Sequence, residues 1–335
     1  MRQNSKLTTI INQVAFDSSM SIGEPHDIGS PKRNAFTFYA VIAILITAIC
    51  WVPTSIIASA NGYILPSHFT FAELVQSGFN DSLHLVIVLI FSIGAYGPFI
   101  AALLAISLEV GRDGIRDLFR RMTKWRVDVK WYLWVILIPF VIALPAFLIG
   151  IISGMTPLAT LTLAVPLNLL LPLILWQTFT SGLEEPGWRG YALPKLQEKY
   201  NAEKASIRLG VLWSVWHWPY ITYLTVSTAV LPGDTPPELV VVALAIATIQ
   251  TLFLHAVTSA GIAVIYTWFY NNTESVLLAI LFHMTTNVVM AYLQTSPALT
   301  VITGIMPWVI AVFLFKRYGD ETLTGIGNGG ESPEI

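Results

Sequence analysis

Eight stretches of this sequence each come close to the ~20 apolar residues that a helix needs to cross a bilayer. They run at about 36–60, 84–108, 131–152, 157–180, 206–230, 239–269, 275–293 and 298–315. Hydrophobic residues make up 55% of the 335 and charged residues 11%, whereas a soluble domain carries about 25% charged residues. Water-soluble classes are therefore excluded. The expected fold class is all-α, a polytopic membrane protein with eight transmembrane helices.

The basic residues fix an expected topology. Four lie before the first segment (Arg2, Lys6, Lys32, Arg33), and seven lie between the second and third (Arg112, Arg116, Arg120, Arg121, Lys124, Arg126, Lys130). Five follow the fourth (Arg189, Lys195, Lys199, Lys204, Arg208), and two follow the eighth (Lys316, Arg317). These are all 18 Lys and Arg residues, and with eight spans all fall on one side. The positive-inside rule makes that side cytoplasmic, so both termini are expected in the cytosol. The domain reading is a flexible cytosolic tail over 1–35, a transmembrane unit over 36–317 and a second flexible tail over 318–335. Ala58-Ser59-Ala60 resembles a signal-peptidase site, but the run before it is too long for a signal sequence. Residues 61–82 contain no basic residue and are expected to face outward. The sixth segment, with Ser259-Ala260-Gly261, is expected to be tilted or bent. Arg112 to Lys124 fits a helix in the lipid headgroups or a basic loop that sets topology. Trp188 to Tyr200 is expected to run along the membrane surface. The single cysteine, Cys50, permits no disulfide within the chain. No basic face suits nucleic acid, and the oligomeric state is not readable.

Against this apolar background, a few polar groups stand out. Ionisable side chains cost roughly 2.5–3.5 kcal/mol each at the centre of a membrane helix and usually mark function or pairing. Glu184 and Glu185 close the uncharged fourth segment, in Ser181-Gly182-Leu183-Glu184-Glu185-Pro186-Gly187-Trp188-Arg189-Gly190. Pro186 and Gly187 predict an interrupted helix there. Arg189 stands four residues after Glu185, within reach as an ion-pair partner. His217 lies roughly 16 Å into the fifth segment and His283 roughly 12 Å into the seventh, with Asn287 one turn further on the same face. All come from the cytoplasmic half. Each alone has a bland alternative: a surface ion pair, a tryptophan belt, interhelical hydrogen bonds. His255 has no motif around it and reads as a structural histidine.

Taken together, Glu184-Glu185-x-x-x-Arg189, Trp213-x-x-x-His217 and His283-x-x-x-Asn287 resemble the CPBP family. These are the CaaX proteases and bacteriocin-processing intramembrane proteases, also called the abortive-infection family. Gly97-Pro98 with the alanine-rich stretch after it, and Arg189-Gly190-Tyr191, resemble the same family. The likeness covers about residues 95–292. There are two departures: Trp213 stands where phenylalanine is usual, and Pro186-Gly187 where bulkier apolar residues are usual.

The resemblance implies an intramembrane endopeptidase in a prokaryotic cell membrane, with its active site opening to the cytoplasm. It would cut a membrane-associated or lipidated peptide or protein. By motif position Glu184 would activate water with His217, His283 and Asn287 would stabilise the oxyanion, and Glu185 and Arg189 would orient the site. Peptide hydrolysis needs such a base and fixed donors. Glu184, His217 and His283 also form a His₂Glu set, a known catalytic zinc type. A Zn²⁺ enzyme therefore stays open, with the metal-free reading favoured because Asn287 suits an oxyanion donor. Two non-proteolytic alternatives are a silent immunity or scaffold protein and an ion- or proton-coupled transporter.

Overall fold

A computed structural model describes residues 35–157, 165–229 and 236–324. Residues 1–34 and 325–335, most of the two expected tails, lie outside them, as do 158–164 at the start of the fourth apolar segment. The described residues are helical, with no strand among them. The helices are α1 (Ala35–Asn61), α2 (Phe71–Ser77), α3 (Ser82–Gly94), α4 (Gly97–Glu109), α5 (Arg112–Met122) and α6 (Val129–Ser153). They continue as α7 (Leu170–Phe179), α8 (Ala202–Thr228), α9 (Pro237–Thr273), α10 (Val276–Tyr292) and α11 (Thr300–Tyr318).

The eight-span expectation is met in part. Four helices, α1, α6, α9 and α11, are each long and apolar enough to cross a membrane. The second apolar segment is not one helix: α3 and α4 meet at a 44° bend and make a fifth candidate only if the bent pair is a single span. Pro98, in the first turn of α4, has no N–H to continue the ladder. The bend leaves carbonyls without helical donors, and α1 supplies them. Trp51 Nε1 donates to Phe91 O at 2.8 Å, and Thr47 Oγ1 donates to Gly94 O at 2.7 Å. Of the other segments, α10 has 17 residues and α7 has 10. α8 has 27 but is too polar to pass the same apolarity test.

Small residues set where helices touch. α4 lines its inner face with Ala101, Ala102 and Ala105, all buried against the central core. α9 is one continuous helix of 37 residues with no break at Ser259-Ala260-Gly261, about 55 Å at 1.5 Å per residue. Those small residues serve contact instead. A Cβ on Gly210 of α8 would come within 2.5 Å of Ala260 Cα, so glycine there lets the two backbones approach. The first half of α9 carries exposed Leu239, Val242, Ile246, Ile249 and Phe253, a surface suited to lipid.

Arg112–Met122 is a helix, not a loop. Its Leu118 is fully buried, and Arg121 turns inward to donate to Gly190 O at 2.8 Å and Tyr270 Oη at 2.6 Å. Trp188 to Leu193 does not run along the surface, since all six residues are buried. Past α11 the chain turns back onto α8 and α9. Ala202 N donates to Glu321 O at 2.8 Å, Asn272 Nδ2 donates to Leu323 O at 2.9 Å, and Leu323 is buried.

Candidate active site

The site grows from the interruption predicted after the fourth apolar segment. α7 ends at Phe179, and the chain then winds irregularly. It forms a 3₁₀ turn (Ser181–Glu184), a single α turn (Glu185–Gly187), a π turn (Trp188–Ala192) and a last α turn (Leu193–Gln197). π turns widen a helix and recur at functional sites. This one is held tightly. A Cβ on Gly187 would overlap the backbone of Pro98, so the residues that depart from the family's usual pattern are those that let this segment press against α4. Glu184, Glu185 and Arg189 are consequently all buried.

Buried charges must be paired, and the two glutamates are served differently. Glu185 accepts from Arg189 Nη1 at both carboxylate oxygens, at 3.1 and 2.8 Å. Its Oε1 also lies 2.8 Å from His283 Nδ1. Arg189 is further held by rings, with its guanidinium carbon 3.7 Å from the Tyr266 centroid and 4.7 Å from that of Trp213. Such cation–π contacts strengthen when desolvated. Glu184 receives one hydrogen bond, from Trp213 Nε1 to its Oε2 at 3.1 Å. Burial pushes the Glu184 carboxyl up to about 7, opposed chiefly by the charge of His283 and helped by that of Glu185.

Trp213 is the hub. Its ring centroid lies 5.4 Å from that of His217 and 5.6 Å from that of His283, both edge-on. The three predicted groups Glu184, His217 and His283 thus surround one indole. The histidines differ in what anchors Nδ1. That of His217 lies 2.9 Å from the Trp213 carbonyl, which requires an N–H there and leaves Nε2 as the free nitrogen. That of His283 is spent on Glu185, again leaving Nε2. Asn287 donates to Gln177 Oε1 at 2.7 Å, which uses one of its two amide hydrogens and fixes its plane.

Sequence reasoning missed two neighbours, Gln177 and Tyr266. Gln177 is a buried amide seven residues before Glu184, and an amide deep within an uncharged apolar segment was its signal. Tyr266, on α9, covers Arg189 and had no motif. His255 makes a structural hydrogen bond, Nδ1 to Ser214 Oγ at 2.9 Å, but also lies with its ring centroid 5.1 Å from His217. Among the described residues no three His, Cys, Asp or Glu side chains are grouped as ligands for one ion. The metalloprotease reading of Glu184, His217 and His283 therefore draws no support from their arrangement.

Residues 165–289 match the family of Rce1-like type II CAAX prenyl endopeptidases. That stretch contains every predicted site residue, from Glu184 to Asn287. The chain is also 30% identical, over 151 residues, to CAAX prenyl protease 2 of Methanococcus maripaludis. Over this stretch the chain resembles the CPBP family that its three motifs suggested. The alignment with the archaeal protein covers 43% of this chain and 49% of that one, so the chain spans about half the length of this curated relative. The family is one of membrane-embedded peptidases. Its shared segment begins just before α7 and ends inside α10, which leaves α1 to α6 outside the match.

Proposed function

We propose that this protein is an intramembrane endopeptidase that cleaves a CaaX-type or other membrane-associated peptide by water activated at Glu184. The observation that carries this reading is the buried Glu184 carboxyl. It is held by a single hydrogen bond from Trp213, whose indole also meets two histidines with fixed Nδ1 partners, and it is pushed to about 7 by burial. A base with a pKa near the working pH transfers protons best.

Glu184 takes a proton from water while the resulting hydroxide bonds to the scissile carbonyl carbon. His217, with Nε2 free, accepts a hydrogen bond from that water and orients it. The carbonyl π electrons move to oxygen, where His283 and the second amide hydrogen of Asn287 meet the oxyanion. As the oxyanion collapses the C–N bond breaks, and the proton held by Glu184 passes to the leaving nitrogen. Glu185 and Arg189 act through His283, holding its ring.

The site lies within an eight-span protein whose termini and 109–130 and 181–205 loops face the cytosol. A cysteine placed at Asp128 should label only with reagent on the inner side, and labelling from outside would sink that topology.

The function is tested with purified protein in lipid vesicles and a fluorogenic peptide ending in a prenylated CaaX sequence. Membrane peptides and protein termini are compared in parallel in cells carrying wild type or Glu184→Gln. Cleavage by wild type alone, retained after exhaustive chelation, is the expected result. Loss on chelation with recovery on stoichiometric zinc would replace the water-activating glutamate by a metal. A biological effect undiminished by Glu184→Gln would favour the silent immunity or scaffold reading.

A further inference from the structure

Between α1 and α3 the chain does not simply loop out. Leu65, Pro66 and Ser67 are buried, and the segment is pinned on two sides. On one side, Tyr223 Oη donates to Tyr63 O at 3.0 Å and accepts from Leu65 N at 3.4 Å. Tyr223 stands on α8 six residues beyond His217, roughly 9 Å along the helix. On the other side, Phe71 stacks on Trp176 with centroids 5.2 Å apart. Phe71 and Ala72 also share a buried cluster with Leu173 and Ala291. Trp176 precedes Gln177, and Ala291 is one turn past Asn287. The two pins therefore sit on the helix that carries His217 and on the pair that carries Gln177, His283 and Asn287.

His68 lies between those pins. Its backbone is set by a local knot, in which Ser67 N donates to Thr70 Oγ1 at 2.9 Å and Thr70 Oγ1 donates to Leu65 O at 2.7 Å. The ring lies against Phe69, with centroids 3.9 Å apart. Among the described residues neither ring nitrogen has a hydrogen-bond partner. The residue is half-buried; burial chiefly, together with the charge of His283, lowers its pKa to about 3, so the ring is neutral and within electrostatic reach of the site. A neutral imidazole offers one donor and one acceptor, which matches the N–H and C=O of a peptide backbone. A polar ring left unpaired on a segment pinned to both sides of the site has no evident structural task.

We infer that residues 63–77 close one end of the substrate chamber and that His68 is a substrate-contacting residue, hydrogen-bonded to the backbone of the bound peptide. This rests on the peptidase reading above. It also places a substrate-binding residue outside the segment shared with the CAAX endopeptidase family.

The test measures binding apart from turnover. Affinity for the same prenylated CaaX peptide is measured in the Glu184→Gln protein, with and without His68→Phe or His68→Asn. Loss of one hydrogen bond in His68→Phe should weaken binding about tenfold, with partial recovery in His68→Asn. In the active protein His68→Phe should raise KM with little change in kcat. Tyr223→Phe reports on the loop alone and should lower Tm. Equal peptide affinity with and without His68→Phe overturns the assignment. So does a Tm loss that His68→Phe and His68→Asn share with Tyr223→Phe, with no KM effect of their own. A wild-type protein that neither binds nor cuts the peptide defeats the peptidase reading and this one together. Cleavage by wild type with an unaltered His68→Phe defeats this one only.

Discussion

Glu184 and Glu185 are neighbours in sequence, equally buried, and chemically unlike. Glu185 meets a guanidinium with both oxygens and an imidazole with one. Glu184 meets one indole N–H. The first arrangement ties a carboxylate into the framework, with Arg189 Nη1 and His283 as its partners and aromatic rings over the rest of the guanidinium. The second leaves most of a carboxylate's acceptor capacity unused and lets burial oppose its charge. A single turn of irregular helix thus gives two adjacent glutamates unlike surroundings, and the split depends on the partners that α8, α9 and α10 bring to each; the proton-transfer role proposed for Glu184 rests on that split.

The largest expected effect comes from Glu184→Gln. General acid–base catalysis contributes roughly 10²–10⁴, so kcat should fall by about that factor while Tm holds or rises. The sign follows from the raised carboxyl. A folded-state pKa near 7, above the unfolded value, means that ionising Glu184 opposes folding as pH rises through that window. Glutamine removes that cost. Glu185→Gln should behave oppositely, because it strands Arg189 among apolar rings. Breaking one partner of a buried pair costs about 3–5 kcal/mol, to be read in chemical denaturation of the detergent-solubilised protein. If Glu185→Gln were as stable as wild type, the contrast between the two residues would fail.

Asn287→Ala is expected to come next, with turnover down about 10²–10³ from loss of one oxyanion donor and peptide affinity kept. Gln177→Ala should reproduce part of that loss by freeing the Asn287 amide to rotate. A Gln177→Ala enzyme with full kcat would show that Asn287 holds its plane without help.

Much of this site was legible from three short motifs, because each polar group interrupts an apolar segment where any such group is costly. The Glu185–Arg189 spacing and the His283–Asn287 turn carried over into geometry directly. The fold was less legible. The second apolar segment is long enough to read as one helix, and its 44° bend depends on Thr47 and Trp51 of α1 capping carbonyls that no local pattern announces. Ser259-Ala260-Gly261 suggested a bend in α9, but its partner Gly210 lies on another helix, and a contact of that kind has no signature in either segment alone. Lys195, Glu198 and Lys199 suggested a surface for all of Trp188 to Tyr200, but its first six residues are buried, next to the close approach of Gly187 to Pro98 that no local pattern announces.

The smallest effect is also the sharpest for the comparison of the two glutamates. Trp213 stands where the family usually has phenylalanine, and its Nε1 is the one hydrogen-bond donor that Glu184 has and Glu185 lacks. A hydrogen bond to the charged form favours that form. Trp213→Phe removes the donor but keeps a ring beside His217, His283 and Arg189, so the fold and the cation–π contact should survive. Without the donor, the Glu184 carboxyl should rise further above its present value of about 7. The alkaline-rising limb of kcat against pH should then move upward by about one unit, the equivalent of 1.36 kcal/mol, with the plateau rate nearly unchanged. An unmoved limb in Trp213→Phe would mean that the indole is packing alone and that burial sets the Glu184 proton by itself.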